Sequence, residues 1–225
     1  MAHRAEREEA PRTRVAVIGT LAEFHRDPVP YDLAGLVRLV RQQRPDLLCL
    51  DITTEQWASG AFDDLPAEYR DALIPLADQT DIVVVPVAGA APPAEPLATG
   101  LRGATIRMLR QLLAYLQRTM GGPAAASHGP RHDVATALYW LIAAVAGHGA
   151  LGAWRAHTDR LATRIREAAR RDPGCRILVA INVRHCHHVK RALRRRTELR
   201  LVPYQRLMTD PAEPARPPTA GDQHG

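Results

Sequence analysis

Short, almost uninterrupted apolar runs recur along this chain and constrain its fold more than any other feature. Four of them lie at 14–20 (RVAVIGT), 46–52 (DLLCLDI), 81–87 (DIVVVPV) and 176–182 (RILVAIN). A continuous apolar run, unlike one that alternates with polar residues, predicts a strand covered on both faces. Helical patterns with short connections separate the first three runs, which predicts parallel strands joined by right-handed crossovers. We therefore predict an α/β fold, with a mostly parallel sheet and flanking helices.

Amphipathic segments fill the rest of the chain. One helix should begin at Tyr31-Asp32 and end before Pro45, and a second should cover 66–78. After the Pro-rich connector AGAAPPAEP, a helical insertion over about 97–172 should pack on one end of the sheet. It contains three helical segments, at 101–120, 133–147 and 151–171, with a flexible loop, GGPAAASHGPRH, between the first two. A short strand at 199–204 should complete the sheet.

The predicted organisation is a single domain at 14–208, between a disordered arm at 1–13 and a disordered tail at 209–225. Three cysteines without a CxxC pair argue against a disulfide framework. The first residues, MAHRAEREEAPRTR, contain no apolar signal core, and the longest apolar run, 134–146, is too short to span a bilayer. We therefore expect a cytoplasmic protein with no membrane partner.

Charge and motifs narrow the function classes further. The formal net charge is +6, but arginine is spread along the whole chain, so we do not expect nucleic-acid binding from charge alone. Electrostatic nucleic-acid binding through the basic run RALRRR at 191–196 is a weaker alternative. The chain has no GxGxxG after the first strand and no GxxxxGK[ST], GxSxG or HExxH motif. Dinucleotide binding, Walker-type phosphate binding and a serine-hydrolase elbow thus lose their usual support.

Polar residues follow three of the predicted strands, where an open parallel sheet binds its ligands. These residues are Thr20, Glu23, His25 and Asp27 after the first strand, Asp51, Thr53 and Glu55 at the second, and Asn182, Arg184, His185, His187 and His188 after the fourth. Two carboxylate-rich turns and one His-rich turn can together bind a divalent cation or supply an acid/base pair. We select Glu23, His25, Asp51 and His185 as candidate metal ligands, and the last three also as catalytic residues.

A structural role competes with each of these assignments. His25 lies in a polar loop where solvated side chains are common, and Asp51 could cap the following turn. Adjacent residues seldom point at one centre, so we favour His185 and expect His187, His188 and Cys186 to be surface or packing residues. Cys186 lies between two histidines in sequence, but adjacent residues are poorly placed to act as a thiol nucleophile and its base.

A later helix offers a basic residue. Trp154, Thr158, Leu161, Ile165 and Ala168 form a core-facing stripe, and His157, Arg160 and Arg164 lie together beside it. An arginine aimed at the sheet end could hold a carboxylate or a developing oxyanion. A solvated basic face is the alternative, which we favour for Arg164 over Arg160.

Four segments, taken in order, resemble the TraB/PrgY, ChaN and Tiki superfamily, which is itself similar to erythromycin esterases. VAVIGT at 15–20, followed by a His-bearing loop, resembles the opening strand and Gly-Thr-His turn of that superfamily. RPDLLCLD at 44–51 resembles the second strand, with Asp in place of the usual Glu. AWRAHTDRLATRI at 153–165 resembles the Arg-bearing helix, and ILVAINVRHCHHVKRAL at 177–193 resembles the late strand that ends in a His before a helix.

The resemblance implies an α/β fold with a helical insertion and a site at the carboxyl edge of the sheet. It implies that His25 and His185 are the site histidines, that Asp51 takes the acidic position and that Arg160 takes the arginine position. Our leading hypothesis is a metal-dependent hydrolase of an ester or amide bond in a small molecule or peptide. A non-catalytic binding or interaction module on the same fold is the alternative. The identity of the metal and the formation of a homo-oligomer stay open.

Overall fold

The computed structural model describes residues 12–22, 25, 29–89, 99–127 and 129–209. Within these residues, five strands form one sheet in the order β3-β2-β4-β1-β5. Every neighbouring pair of strands is parallel. The strands are β1 (Thr13–Thr20), β2 (Leu47–Thr53), β3 (Val83–Ala88), β4 (Arg176–Asn182) and β5 (Leu199–Leu201). The prediction of an α/β fold built on a parallel sheet is confirmed.

Helices connect the strands. They are α1 (Leu33–Gln43), α2 (Thr54–Ser59), α3 (Ile74–Asp78), α4 (Gly100–Arg118), α5 (Pro123–Ser127), α6 (Pro130–Ala146), α7 (His148–Arg171) and α8 (Val183–Arg194). A π-helical turn, Glu68–Leu73, replaces most of the first half of the helix predicted at 66–78, and a 3-10 turn, Tyr204–Arg206, follows β5. Asp32 caps α1, because its carboxylate accepts a hydrogen bond from the Gly35 amide at 2.7 Å.

The sheet is buried on both faces, as the continuous apolar runs predict. Alternate residues of a strand point to opposite faces, so Ala16 and Ile18 belong to one core and Val15 and Val17 to the other. The first core includes residues of α1, α3, α4 and α6, and the second includes residues of α7 and α8. The strands are therefore packed between helices on both faces, and this packing fixes the positions of their ends.

The prediction of a flexible loop between α4 and α6 is wrong, because Pro123–Ser127 in that segment form helix α5. Ser127, at the end of α5, is buried and its hydroxyl accepts a hydrogen bond from the Gly19 amide at 3.2 Å. The Ala126 carbonyl lies so close to Gly19 that a Cβ there would collide with it. Gly19 thus provides the space in which α5 packs against β1. The Gly and Pro residues of this segment predict a loop, and they give no sign of that contact.

The predicted helical insertion also needs a correction. Leu161 and Ile165 of α7 are fully buried in the core that contains Val15 and Val179, so α7 covers a face of the sheet. The buried residues of α7 lie between His157 and Ala169, so this part of the helix packs on the sheet as a crossover between β3 and β4 would. Of the predicted insertion, only α4, α5 and α6 are additional to the helices that cover the sheet between consecutive strands.

The termini of the predicted domain shift slightly. Thr13, assigned to the arm, begins β1, and its hydroxyl donates to the Ala169 carbonyl at 2.9 Å. The rest of the predicted arm (1–11), the tail from 210 and most of the Pro-rich connector (90–98) lie outside the described residues. No helix among the described residues combines the length and the apolar character needed to cross a membrane.

Candidate metal centre

Three side chains converge where neighbouring strands end. Asp51 lies near the end of β2, and His185 lies in the first turn of α8, which begins directly after β4. His157 comes from the middle of α7. Each of the three residues offers one ligand atom, and these atoms lie within 4.8 Å of one another. The predicted proximity of Asp51 and His185 follows from the pairing of β2 with β4.

Asp51 fixes the orientation of His157. The Nε2 atom of His157 lies 2.9 Å from Oδ1 and 3.1 Å from Oδ2 of Asp51. A carboxylate only accepts hydrogen bonds, so Nε2 carries a proton, and in the matching tautomer of the ring the lone pair lies on Nδ1. That Nδ1 is buried and has no hydrogen-bond partner among the described residues. The Nδ1 atom is therefore able to accept a hydrogen bond from a water molecule or a bond to a metal ion.

His185 has the complementary tautomer. The Thr158 hydroxyl donates its single proton to the Trp154 carbonyl at 2.9 Å, so it accepts from Nδ1 of His185 at 2.7 Å. Nε2 then holds the lone pair, which accepts a hydrogen bond from Nε of Arg184 at 2.8 Å. Burial holds the pKa of His185 well below its usual range, and the nearby Arg184 lowers it further. The imidazole is therefore neutral at pH 7, and its one basic lone pair lies on Nε2, where Arg184 now donates.

The first turn of α8 positions His185. The Asn182 side chain accepts a hydrogen bond from the Arg184 amide at 3.1 Å, which caps the helix where β4 ends. The Trp154 ring stacks on His185 with 6.0 Å between centroids, and the His157 and His185 rings are 5.0 Å apart. The two imidazoles are therefore held by both hydrogen bonds and ring packing.

Arg160 lies one helical turn after His157 on α7. It packs on Gly89, directly after β3, where a Cβ would lie only 2.7 Å from Cδ of Arg160. Its Nε is buried and has no hydrogen-bond partner within the described part of the chain. An unsatisfied guanidinium nitrogen at the sheet edge suits the binding of an anion. Arg164, in contrast, is half-exposed and forms a 3.6 Å ion pair with Glu167.

The structure does not bring His25 to this centre. Its Nε2 accepts from the Leu21 amide at 2.9 Å, and its Nδ1 faces the Tyr31 carbonyl at 2.8 Å. Both ring nitrogens are therefore used by the backbone, and His25 belongs to neither group of converging ligand atoms found among the described residues. It holds together the turn after β1. Glu23, the fourth candidate ligand, lies outside the described residues.

Sequence analysis missed two buried polar residues at this edge. His157 carried a signal, since it shares a helix face with Arg160 and Arg164, but only Arg160 was selected from that face. Glu68, in the π-helical turn, is 1% exposed and accepts from the Thr20 hydroxyl at 2.7 Å. Burial raises the pKa of the adjacent Tyr69, as do the carboxylates of Asp51 and Glu68. The sequence around Glu68 carried no signal of its own.

The residues around His185 on α8 lie at the surface or pack within the structure, as His188 does edge-on against Trp154. His187 is about half-exposed and lies 3.9 Å from the more exposed Asp133, and with His132 they form a second group of converging ligand atoms. Cys186 is fully buried, and burial raises the pKa of its thiol to about 12. A protonated, inaccessible thiol does not act as a nucleophile.

Comparisons with family models, with curated proteins and with solved structures found no match to this chain. The assignment of the centre therefore depends on its residues and their geometry.

Proposed function

We propose that this protein is a metal-dependent hydrolase whose centre consists of Asp51, His157 and His185. The observation that carries the proposal is the convergence of one carboxylate and two imidazoles within 4.8 Å. Imidazole and carboxylate ligands are typical of the catalytic sites of zinc and of other first-row divalent metals. Such sites keep one coordination position open for water or substrate. We also propose, from the order of its sequence motifs, that the chain is a divergent member of the TraB/PrgY–ChaN–Tiki superfamily.

The protonation states of the residues fit a cation. His157 presents a buried lone pair on Nδ1 while its Nε2–H is held by Asp51, as in the carboxylate–histidine pairs that orient metal ligands. His185 presents Nε2 once the partly exposed Arg184 turns away. In this arrangement Asp51 remains behind His157 and orients its ring, so the two imidazoles are the ligands that face the metal.

The surrounding residues supply the rest of the chemistry. A bound divalent metal lowers the pKa of a water molecule and polarises a carbonyl. Arg160, with its open Nε, holds the negative charge that develops on the substrate oxygen. Thr158 and Asp51 keep the two imidazoles in the required tautomers. The substrate is an ester or an amide.

A second candidate is metal-free hydrolysis with His157 as general base. The specific observation is again the open Nδ1 of His157, because a carboxylate on the opposite nitrogen both orients an imidazole and stabilises its protonated form. In this mechanism Nδ1 takes the proton from the attacking water, and His185 serves as a neutral neighbour.

Metal analysis of the purified protein tests the proposal. After dialysis against Zn²⁺ or Mn²⁺, the wild type should retain one equivalent of metal and hydrolyse a nitrophenyl ester or an aminoacyl nitroanilide. Loss of a partner that orients a metal ligand typically costs about 10- to 100-fold in metal affinity, which we expect for Asp51→Asn, and His157→Ala and His185→Ala should cost at least as much. His148→Ala, at an exposed position outside both groups of converging ligand atoms, is the matched control.

Two results separate the alternatives. If the three variants retain as much metal as the wild type, the metal centre is wrong. If chelation leaves hydrolysis unchanged while His157→Ala abolishes it, the metal-free mechanism replaces the proposal.

A further inference from the structure

A cavity of about 230 Å³ lies between α8, β5 and the segment after β5. It shares no residue with the centre at Asp51. The wall combines apolar side chains of β1, β5 and the following segment with five polar residues, which are Ser127, Lys190, Arg194, Tyr204 and Gln205. A concave site with apolar walls and a few convergent polar groups is the usual form of a small-molecule site.

The cavity wall carries positive charge that no described carboxylate balances. Lys190 and Arg194 are the charged residues among those that line it, and neither forms an ion pair with a described residue. The Lys190 ammonium donates to the Ser127 carbonyl, which is a neutral acceptor. Burial lowers the pKa of Lys190, and the charge of Arg194 lowers it further. A partly buried cation without a counter-charge is costly, and an anion would remove that cost.

We propose that this cavity binds a small organic oxyanion, with its charged group between Lys190 and Arg194. Ammonium and guanidinium groups together bind carboxylate or phosphate oxygens through charge-assisted hydrogen bonds. The Tyr204 and Gln205 side chains add polar contacts, and Leu201 with its apolar neighbours receives the carbon body of the ligand. The volume, below the roughly 300–1,000 Å³ of drug-sized sites, limits the ligand to a small metabolite.

Titration calorimetry at constant ionic strength tests this site with three probes: inorganic phosphate, phenyl phosphate and benzoate. Phenyl phosphate should bind more tightly than inorganic phosphate, because only the ester also fills the apolar wall. Benzoate against phenyl phosphate shows whether the site prefers a carboxylate or a phosphate monoester. Lys190→Met and the exposed Arg194→Gln should each weaken binding of the better probe at least tenfold. Arg196→Gln, an exposed position on the same basic run but outside the wall, should leave its affinity within twofold.

Three outcomes would overturn the proposal. They are unchanged affinity in both Lys190→Met and Arg194→Gln, an equal loss in Arg196→Gln, which would indicate diffuse surface charge, and no measurable binding of any probe at millimolar concentration. Arg194→Gln serves as the decisive variant if Lys190→Met does not fold, because Arg194 is on the surface. Asp51→Asn should bind the probes as the wild type does, so failure of the hydrolase proposal leaves this result interpretable.

Discussion

The turn after β1 and the edge where β2 and β4 end both bury histidine, but they use it differently. His25, His157 and His185 are 1%, 2% and 1% exposed. Both nitrogens of His25 are bonded to the backbone, whereas Nδ1 of His157 has no partner among the described residues. Burial alone therefore does not distinguish a histidine that holds the backbone from one at the candidate centre. The kind of partner does: His25 bonds to backbone groups, whereas His157 and His185 bond to side chains.

The largest expected effect separates these two roles by stability. His25→Ala leaves the Leu21 amide and the Tyr31 carbonyl buried without partners, and each unsatisfied group costs about 1–3 kcal/mol. We expect the free energy of unfolding to fall by about 3 kcal/mol, measured by urea denaturation. His157→Ala should cost less than half as much, since it leaves one partly solvated carboxylate. Equal losses in the two variants would break the comparison.

Acid sensitivity gives a second, smaller effect. Burial lowers the pKa of His25, although the Tyr31 carbonyl partly opposes the shift. The unfolded chain then binds a proton near pH 6.5 that the folded chain rejects, so the free energy of unfolding is highest above pH 6.5 and falls as the pH drops through the folded pKa. One such group contributes a slope of at most about 1.4 kcal/mol per pH unit.

His25→Gln should flatten this slope relative to the wild type, when urea midpoints are measured between pH 7.5 and 4.5. His132→Gln is a useful parallel, because burial and the charge of Lys190 lower the pKa of His132 to about 4. Its stabilising contribution should be lost between pH 6.5 and about 4. An unchanged acid slope in His25→Gln would contradict the assignment of His25 as a neutral, backbone-bonded residue.

A smaller stability effect is expected at Gly89, which packs against Arg160 of the candidate centre. A Cβ in Gly89→Ala would press on the Arg160 side chain, which is flexible enough to move. We expect a change in unfolding free energy of less than about 1 kcal/mol, but a clear drop in kcat of any hydrolysis found. Arg164→Ala, on the exposed side of α7, should change neither quantity. A normal kcat in Gly89→Ala would remove Arg160 from the mechanism.

The strands were predictable because each is a continuous apolar run, and burial on both faces leaves little other use for such a run. The local details were less predictable. The π-helical turn at Glu68–Leu73 and the docking of α5 on Gly19 depend on contacts with β1 that residue patterns do not encode. The prediction that α7 belongs to an insertion was wrong for a similar reason. Its apolar stripe could pack equally well on the end of the sheet or on its face, and only the tertiary structure shows that it covers the face.

The sequence by itself determined the apolar strands, their parallel arrangement and the presence of polar residues at their carboxyl ends, including Asp51 and His185. Only the tertiary structure decided which of those residues meet. His25 lies four to six residues from its backbone partners, so a local turn satisfies it, whereas His157 is separated from Asp51 by 106 residues. Strand order and helix packing create that second contact, because they bring distant segments together at distances that sequence separation does not indicate.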